Sequence, residues 1–252
     1  MSYRLGADPE VFMQDNAHKF ISVIGKVKGN KQYPLQVDYL PKGFTLQQDN
    51  VSLEFGIPPA ADKKEFIKHI QTVKEAGLNY LKGLSFSHES CAIFPQDQMM
   101  DAEAHIFGCE PDYNAWTGRK NKKPQPPHPF MRSAGGHIHV ETKLDKRGVV
   151  RTMDLRISVP AVLMDNGEQR KQLYGKAGAF RPKDYGVEYR SPSNFWIFSP
   201  KLIGWVWDET GKALDMVASG DVCNDPRIRA CIDKNDKSLA EKLIKEYDLV
   251  CL

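Results

Sequence analysis

Residues 134–141 read Ala-Gly-Gly-His-Ile-His-Val-Glu. In an extended strand the period-two alternation throws His137, His139 and Glu141 onto one face and Ile138 and Val140 onto the other. Such a stretch commits the chain to a sheet with one apolar face and one face that needs water, metal or ligand. Three further segments repeat the design. In residues 186–190, Glu188 and Arg190 share a face while Val187 and Tyr189 oppose them. In residues 5–12, Asp8 and Glu10 share a side, and in residues 50–56 Glu54 stands opposite Val51, Leu53 and Phe55. One such strand alone reads as half-exposed and solvated. Four of them, two with acidic pairs or a His pair, point to a site.

The order and wording of these segments resemble the glutamine synthetase and glutamate-cysteine ligase superfamily, and most closely its phage-type carboxylate-amine ligases, the amidoligases. Asp8-Pro9-Glu10 resembles the first acidic strand of that superfamily and Glu54 its second metal carboxylate. Gly136-His137-Ile138-His139 resembles its His-x-His strand, and Glu188-Tyr189-Arg190 its Glu-x-Arg strand. Tyr174-Gly175-Lys176-Ala177-Gly178 and Arg181 lie just upstream of that last strand, so the likeness spans most of the chain. One departure is Asp8, which stands where glutamine synthetases usually carry the longer Glu. The resemblance implies an α+β fold, glutamine synthetase-like, in which a curved antiparallel sheet carries the active site and helices flank it. It also implies ATP and Mg²⁺ (or Mn²⁺) as cofactors, with His137 as the metal-binding imidazole and His139 facing nucleotide or phosphate.

At 252 residues with 41% hydrophobic content, the chain is long enough for a substantial core and is read as one domain over residues 1–252. A net charge of +3, from 35 basic and 32 acidic residues, gives no overall drive toward nucleic acid or an anionic membrane. Met1-Ser2-Tyr3-Arg4 is not followed by an apolar signal segment, and no run reaches bilayer length, so a cytoplasmic location is expected, in the host cytoplasm if the chain is phage-encoded. The five cysteines are odd in number and show no C-x-x-C pair, which argues for reduced thiols. Cys109, flanked by His105 and Asp112, is read as a buried structural cysteine rather than a nucleophile.

Short strands broken by turn residues fill the first 59 residues. Asp62 with Glu65 opens a helix over about 62–82, faced by Phe66, Ile70, Val73 and Tyr80. Residues 84–108 look strand-like, and residues 152–173 helical with Pro160 kinking or dividing them. Ser199-Pro200 opens another helix with Leu202, Trp205, Val206 and Leu214 on its stripe, and Trp205 and Trp207 are assigned to the core. Ser238 with Glu241 is the predicted cap of the last helix. The basic, proline-rich residues 118–130 fit neither helix nor central strand. They are read as a lid loop ahead of a plain surface loop, with a nucleic-acid arm last.

A carboxylate is a poor electrophile until it is converted to something like an acyl phosphate. Assembling triphosphate, substrate carboxylate and acidic side chains concentrates negative charge that divalent cations and guanidinium groups offset. Mg²⁺ prefers oxygen, which suits Glu10, Glu54, Glu188 and Asp8, while His137 suits a second, less selective site. Arg190, on the Glu188 face, fits a bidentate grip on the transferring phosphoryl group, with Arg181 a second candidate. Arg132 and Lys176 complete the candidate phosphate contacts. A cupin or a two-His-one-carboxylate iron enzyme needs a further downstream His, and no histidine follows His139. The expected function is an ATP-dependent carboxylate-amine ligase acting on small-molecule or peptide substrates. The alternatives are an inactive scaffold of the same fold and a metal-dependent phosphohydrolase acting on nucleic acid. The identity of the acid and amine and the oligomeric state are not encoded in these motifs.

Overall fold

The computed structural model describes residues 3–106 and 112–252, so Cys109 lies outside the described residues. Cys91, Cys223, Cys231 and Cys251 are all free thiols. The architecture is organised by one short stretch of chain, residues 5–11. Its first part, Leu5–Ala7, is the edge of a five-stranded sheet that continues through Ile138–Glu141, Gly186–Tyr189, Ala179–Lys183 and Tyr113–Asn114. Its second part, Glu10–Val11, is the edge of a four-stranded sheet that continues through Ser52–Gly56, Thr45–Asp49 and Leu35–Gln36. Every pairing in the two sheets is antiparallel.

Pro9 separates the two ladders because it has no N–H to give. The backbone around it still bonds on both sides. Asp8 N and Glu10 N donate to the carbonyls of His137 and Gly135 at 3.4 and 2.8 Å, while Phe55 N and Ile57 N donate to the carbonyls of Pro9 and Ala7 at 3.0 and 3.3 Å. The two sheets therefore meet in one antiparallel surface that bends at residues 8–10. Their apolar faces share a core with Lys63–Tyr80 and Pro200–Ala218, including Leu53, Phe55, Ile138, Val140, Phe66, Ile70 and Trp205. The first of these helices lies so close to the sheet that a Cβ at Gly77 would be 2.8 Å from the Phe55 ring.

The helix predicted from Asp62 runs Lys63–Tyr80 with Asp62 accepting from Glu65 N, although Tyr80 is exposed rather than on the buried stripe. Trp205 and Trp207 are buried. Of the predicted strand-like stretch 84–108, the described residues 84–106 hold the short strands Ser85–Phe86 and Cys91–Ile93, followed by the turns Gln96–Gln98 and Ala102–His105. The helical segment predicted from residue 152 starts earlier, at Lys146, because Asp145 caps it by accepting from Gly148 N. It passes through a π-turn at Asp154–Ser158 and ends with Val159–Met164. The π-turn, with Val159 N bonded to Asp154 O, lets the helix absorb Pro160 near the start of its last piece. A helix the periodicity did not reveal, Pro226–Lys234, precedes the final one, Lys237–Glu246. That last helix is capped by Asp236, not Ser238, because Asp236 reaches Leu239 N. Among the described residues no helix is long and apolar enough to cross a membrane.

Candidate active site

Cross-strand register brings the predicted polar residues together. His139 pairs with Glu188 and Glu188 with Arg181 across three neighbouring strands, so all three project from one face. On the adjoining sheet Glu54 pairs with both Glu10 and Gln47. Around the bend lies a cavity of about 660 Å³ lined by Asp8, Glu10, Glu54, His137, Arg181, Glu188 and Arg190. Two donor groups stand within it. Asp8, His137 and Glu188 form one, and Glu10, Asp49 and Glu54 the other; in each, one donor atom per residue lies within 4.8 Å of the others.

The groups differ in how their charge is balanced. Glu188 is 1% exposed and receives Arg190 Nη1, with Arg181 Nη1 at 3.2 Å and Lys183 Nζ at 2.8 Å. Burial and the Asp8 charge push its carboxyl pKa up, but Arg190, His137 and Arg181 outweigh them and hold it at about 2. Burial and then Arg190 lower His137 to about 4, leaving a neutral imidazole with its Nδ1 3.4 Å from Asp8 Oδ1. Asp8 Oδ1 also lies 2.9 Å from His139 Nε2, yet the pair is misaligned for a hydrogen bond. We read this as a charge contact. Despite burial it keeps Asp8 well below the usual carboxylate range and raises His139.

The second group has far less compensation. Lys31 is 2.8 Å from Asp49, and Gly135 N donates to Glu10 Oε2 at 2.8 Å. Burial first, then Asp49, raises Glu10 to about 7, and burial with Asp8, Asp49 and Glu10 raises Glu54 well above its ordinary value. A carboxyl group raised on folding stabilises the fold fully below its unfolded pKa near 4.5, and that stability is lost as pH rises through the folded value. The metal-free protein is therefore expected to lose stability between about pH 4.5 and 7 from Glu10, with Glu54 extending the loss upward. Divalent cation competes with those protons, so the rise in melting temperature on adding Mg²⁺ or Mn²⁺ should grow from pH 5 to pH 8. A cation-induced rise that shrinks over that range would contradict this assignment.

Of the other predicted residues, Arg132 lines the cavity but directs its guanidinium at the main-chain carbonyls of Ala104, Pro129 and Met131 and at Asn50 Oδ1. It is 4% exposed, so it is a buried guanidinium rather than a surface one. His139 sits behind Asp8, and its Nδ1 is 2.5 Å from the Tyr185 hydroxyl rather than among the lining residues. Lys176 is exposed and does not line the cavity. None of residues 118–130 lines it either, although Asp112, just ahead of that loop, does and lies 3.9 Å from Arg190 Nε. Asp49, Lys31, Lys183 and Arg170 also line the cavity and were missed from sequence. Asp49 carried a usable signal, since it alternates in phase with Thr45 and Gln47 on the strand facing Glu54. The two glycines ahead of His137 are spatial necessities. A Cβ at Gly135 would fall 2.3 Å from His137 Nε2, so only a bare residue leaves that ring its place.

Residues 126–207, about a third of the chain, match the family model described as phage phiEco32-like COOH-NH2 ligase type 2. The matched stretch contains His137, His139, Arg181, Glu188 and Arg190, and it bears out the likeness to phage-type carboxylate-amine ligases drawn from the motifs. Glu10, Asp49 and Glu54 lie outside it and enter the same cavity from the preceding sheet. No curated protein matches the chain.

Proposed function

We propose, for a chain whose residues 126–207 match a phage-type carboxylate-amine ligase, an ATP-dependent ligase that forms an amide through an acyl phosphate on a glutamine synthetase-like curved sheet. The observation that carries this reading is the pair of donor groups on one cavity wall, set beside the guanidinium groups of Arg181 and Arg190. The donor sets fit divalent cations. Glu10, Asp49 and Glu54 are oxygen-only, half-buried or buried, and short of positive charge, which suits Mg²⁺. Asp8, His137 and Glu188 include a neutral imidazole, which suits a less selective ion such as Mn²⁺. Bound cation would supply charge neutralisation for the polyphosphate.

The chain's own residues do the rest. Arg190, anchored by Glu188, and Arg181 beside it present fixed donors to the phosphoryl group. A carboxylate oxygen of the acid attacks the γ-phosphorus and ADP departs. The neutral amine attacks the acyl carbon, phosphate leaves with the original carboxylate oxygen, and the nitrogen gives up one proton to phosphate or solvent as the amide forms. Residues 118–130 serve as a lid that moves beyond the anchored Tyr113–Asn114 strand and Trp116 to keep water from the activated acyl group. Saturation with a nonhydrolysable ATP analogue and Mg²⁺ is expected to protect this loop from limited proteolysis, and unchanged cleavage would leave it a plain surface loop.

The deciding experiment labels the acid with ¹⁸O and follows the phosphate by mass spectrometry. Label in phosphate, formed with ADP and only when acid is present, is the expected result. Phosphate oxygen drawn from water would mark a phosphohydrolase, release of AMP and pyrophosphate an adenylating ligase, and no turnover a scaffold. Any of these would sink the proposal.

A further inference from the structure

We infer that Asp154 is a positioning residue that sets Arg190 from the opposite side of the sheet. The strand alternation that sends Glu188 and Arg190 into the cavity sends Tyr189 and Ser191 the other way. Both meet one carboxylate. The Tyr189 hydroxyl donates to Asp154 Oδ1 at 2.8 Å, and Ser191 Oγ lies 3.1 Å from the same oxygen while also reaching Lys176 O at 3.0 Å. The residues immediately before and after Arg190 are thus held by a single buried side chain. Asp154 Oδ2 accepts from Trp116 Nε1 at 2.6 Å, which ties the start of the proline-rich segment to the same point.

The position of Asp154 has a backbone cause. It is the first residue of the π-turn Asp154–Ser158, where the helix takes up an extra residue ahead of Pro160. That turn also delivers Ser158, whose hydroxyl is 2.5 Å from that of Tyr189. Asp154 is fully buried, and its side-chain partners are neutral donors rather than a salt-bridged cation. A core carboxylate of this kind is costly unless its geometry is needed. Arg170 grips the same stretch from the cavity side through the carbonyls of Ser191 and Arg190, at 3.0 and 3.4 Å. Arg190 is thereby fixed on both faces. Its consequence for catalysis rests on the ligase reading given above; its consequence for Arg190 does not.

The test reads Arg190 directly in the ligand-free protein through the NMR resonance of its Nε–H, identified by its loss in Arg190→Lys. In Asp154→Asn that proton is expected to exchange with water at least about tenfold faster, the loss of roughly one hydrogen bond's worth of restraint. The Arg132 resonance, from a buried guanidinium on a different strand held by the carbonyls of Ala104 and Met131, should stay as in the wild type and rule out general loosening. Should Asp154→Asn fail to fold, Tyr189→Phe removes one link while keeping the ring in the core and is read in the same way. Arg190 exchange unchanged in the folded variant, or changed only together with Arg132, overturns the inference. Calorimetry with a nonhydrolysable ATP analogue and Mg²⁺ separates the two proposals. If the wild type does not bind while Arg190 still responds to Asp154→Asn, the ligase reading fails and the positioning role stands.

Discussion

Glu54→Gln is expected to weaken divalent-cation binding by on the order of 100-fold while leaving the metal-free protein folded. The amide keeps the volume of the carboxylate but removes one of the three carboxylates, Glu10, Asp49 and Glu54, that could ionise against a bound cation. Burial and the neighbouring acids already favour the neutral form of Glu54 in the empty site, so a neutral amide there does not harm the empty fold. Glu188→Gln should behave differently. It strips the shared anion from Arg181, Lys183 and Arg190, and removing the one buried carboxylate that all three cations share is expected to cost about 3 kcal/mol. Calorimetric titration with Mn²⁺ beside urea unfolding distinguishes the two variants. Equal cation affinity in wild type and Glu54→Gln would remove the oxygen-only group from the site, and an undiminished unfolding free energy in Glu188→Gln would contradict its role as a charge hub.

Gly136→Ala is expected to be strongly destabilising, costing about 3 kcal/mol or more. The added Cβ would stand 2.2 Å from Ser193 O and 2.4 Å from Trp196 Nε1. Neither neighbour can yield. Ser193 O belongs to a backbone that pairs with Gly135, and Trp196 is fully buried with its indole N–H bonded to Gly136 O at 3.1 Å. Yielding would lift the chain just ahead of His137, so cation binding should fall together with melting temperature. A Gly136→Ala protein with wild-type melting temperature would show that this close approach does not exist in solution.

Alternation made the heart of the site legible, because a strand with one buried face allows only one assignment of its residues to the other. His137, Glu188, Arg190, Glu10 and Glu54 all emerge on the cavity wall for that reason. The short antiparallel strands of the first 59 residues and the helix after Asp62 were legible through turn chemistry and a cap, although those strands divide among separate sheets. What escaped depends on contacts remote in sequence. Lys31 lies in an irregular segment, and Arg170 in a single 3₁₀ turn, so neither has a period to betray its direction. Lys176 has the right neighbours in sequence, but it points to solvent, because proximity along a loop says little about orientation. The start of the helix at Lys146 was hidden by polar residues and a glycine, which score poorly as helix formers until Asp145 caps them.

The bend at residues 8–10 makes the backbone itself a ruler. Asp8 belongs to one donor group and Glu10 to the other, with only Pro9 between them, so their Cα atoms are spaced by two extended residues, about 7 Å. No breathing between the two sheets can alter that interval, since both carboxylates hang from the same three-residue tie. The two halves of the site are thus geared together and cannot drift apart. A one-residue insertion or deletion here would turn one carboxylate to the core side, uncoupling the pair at a stroke where any change in a side chain would only weaken it.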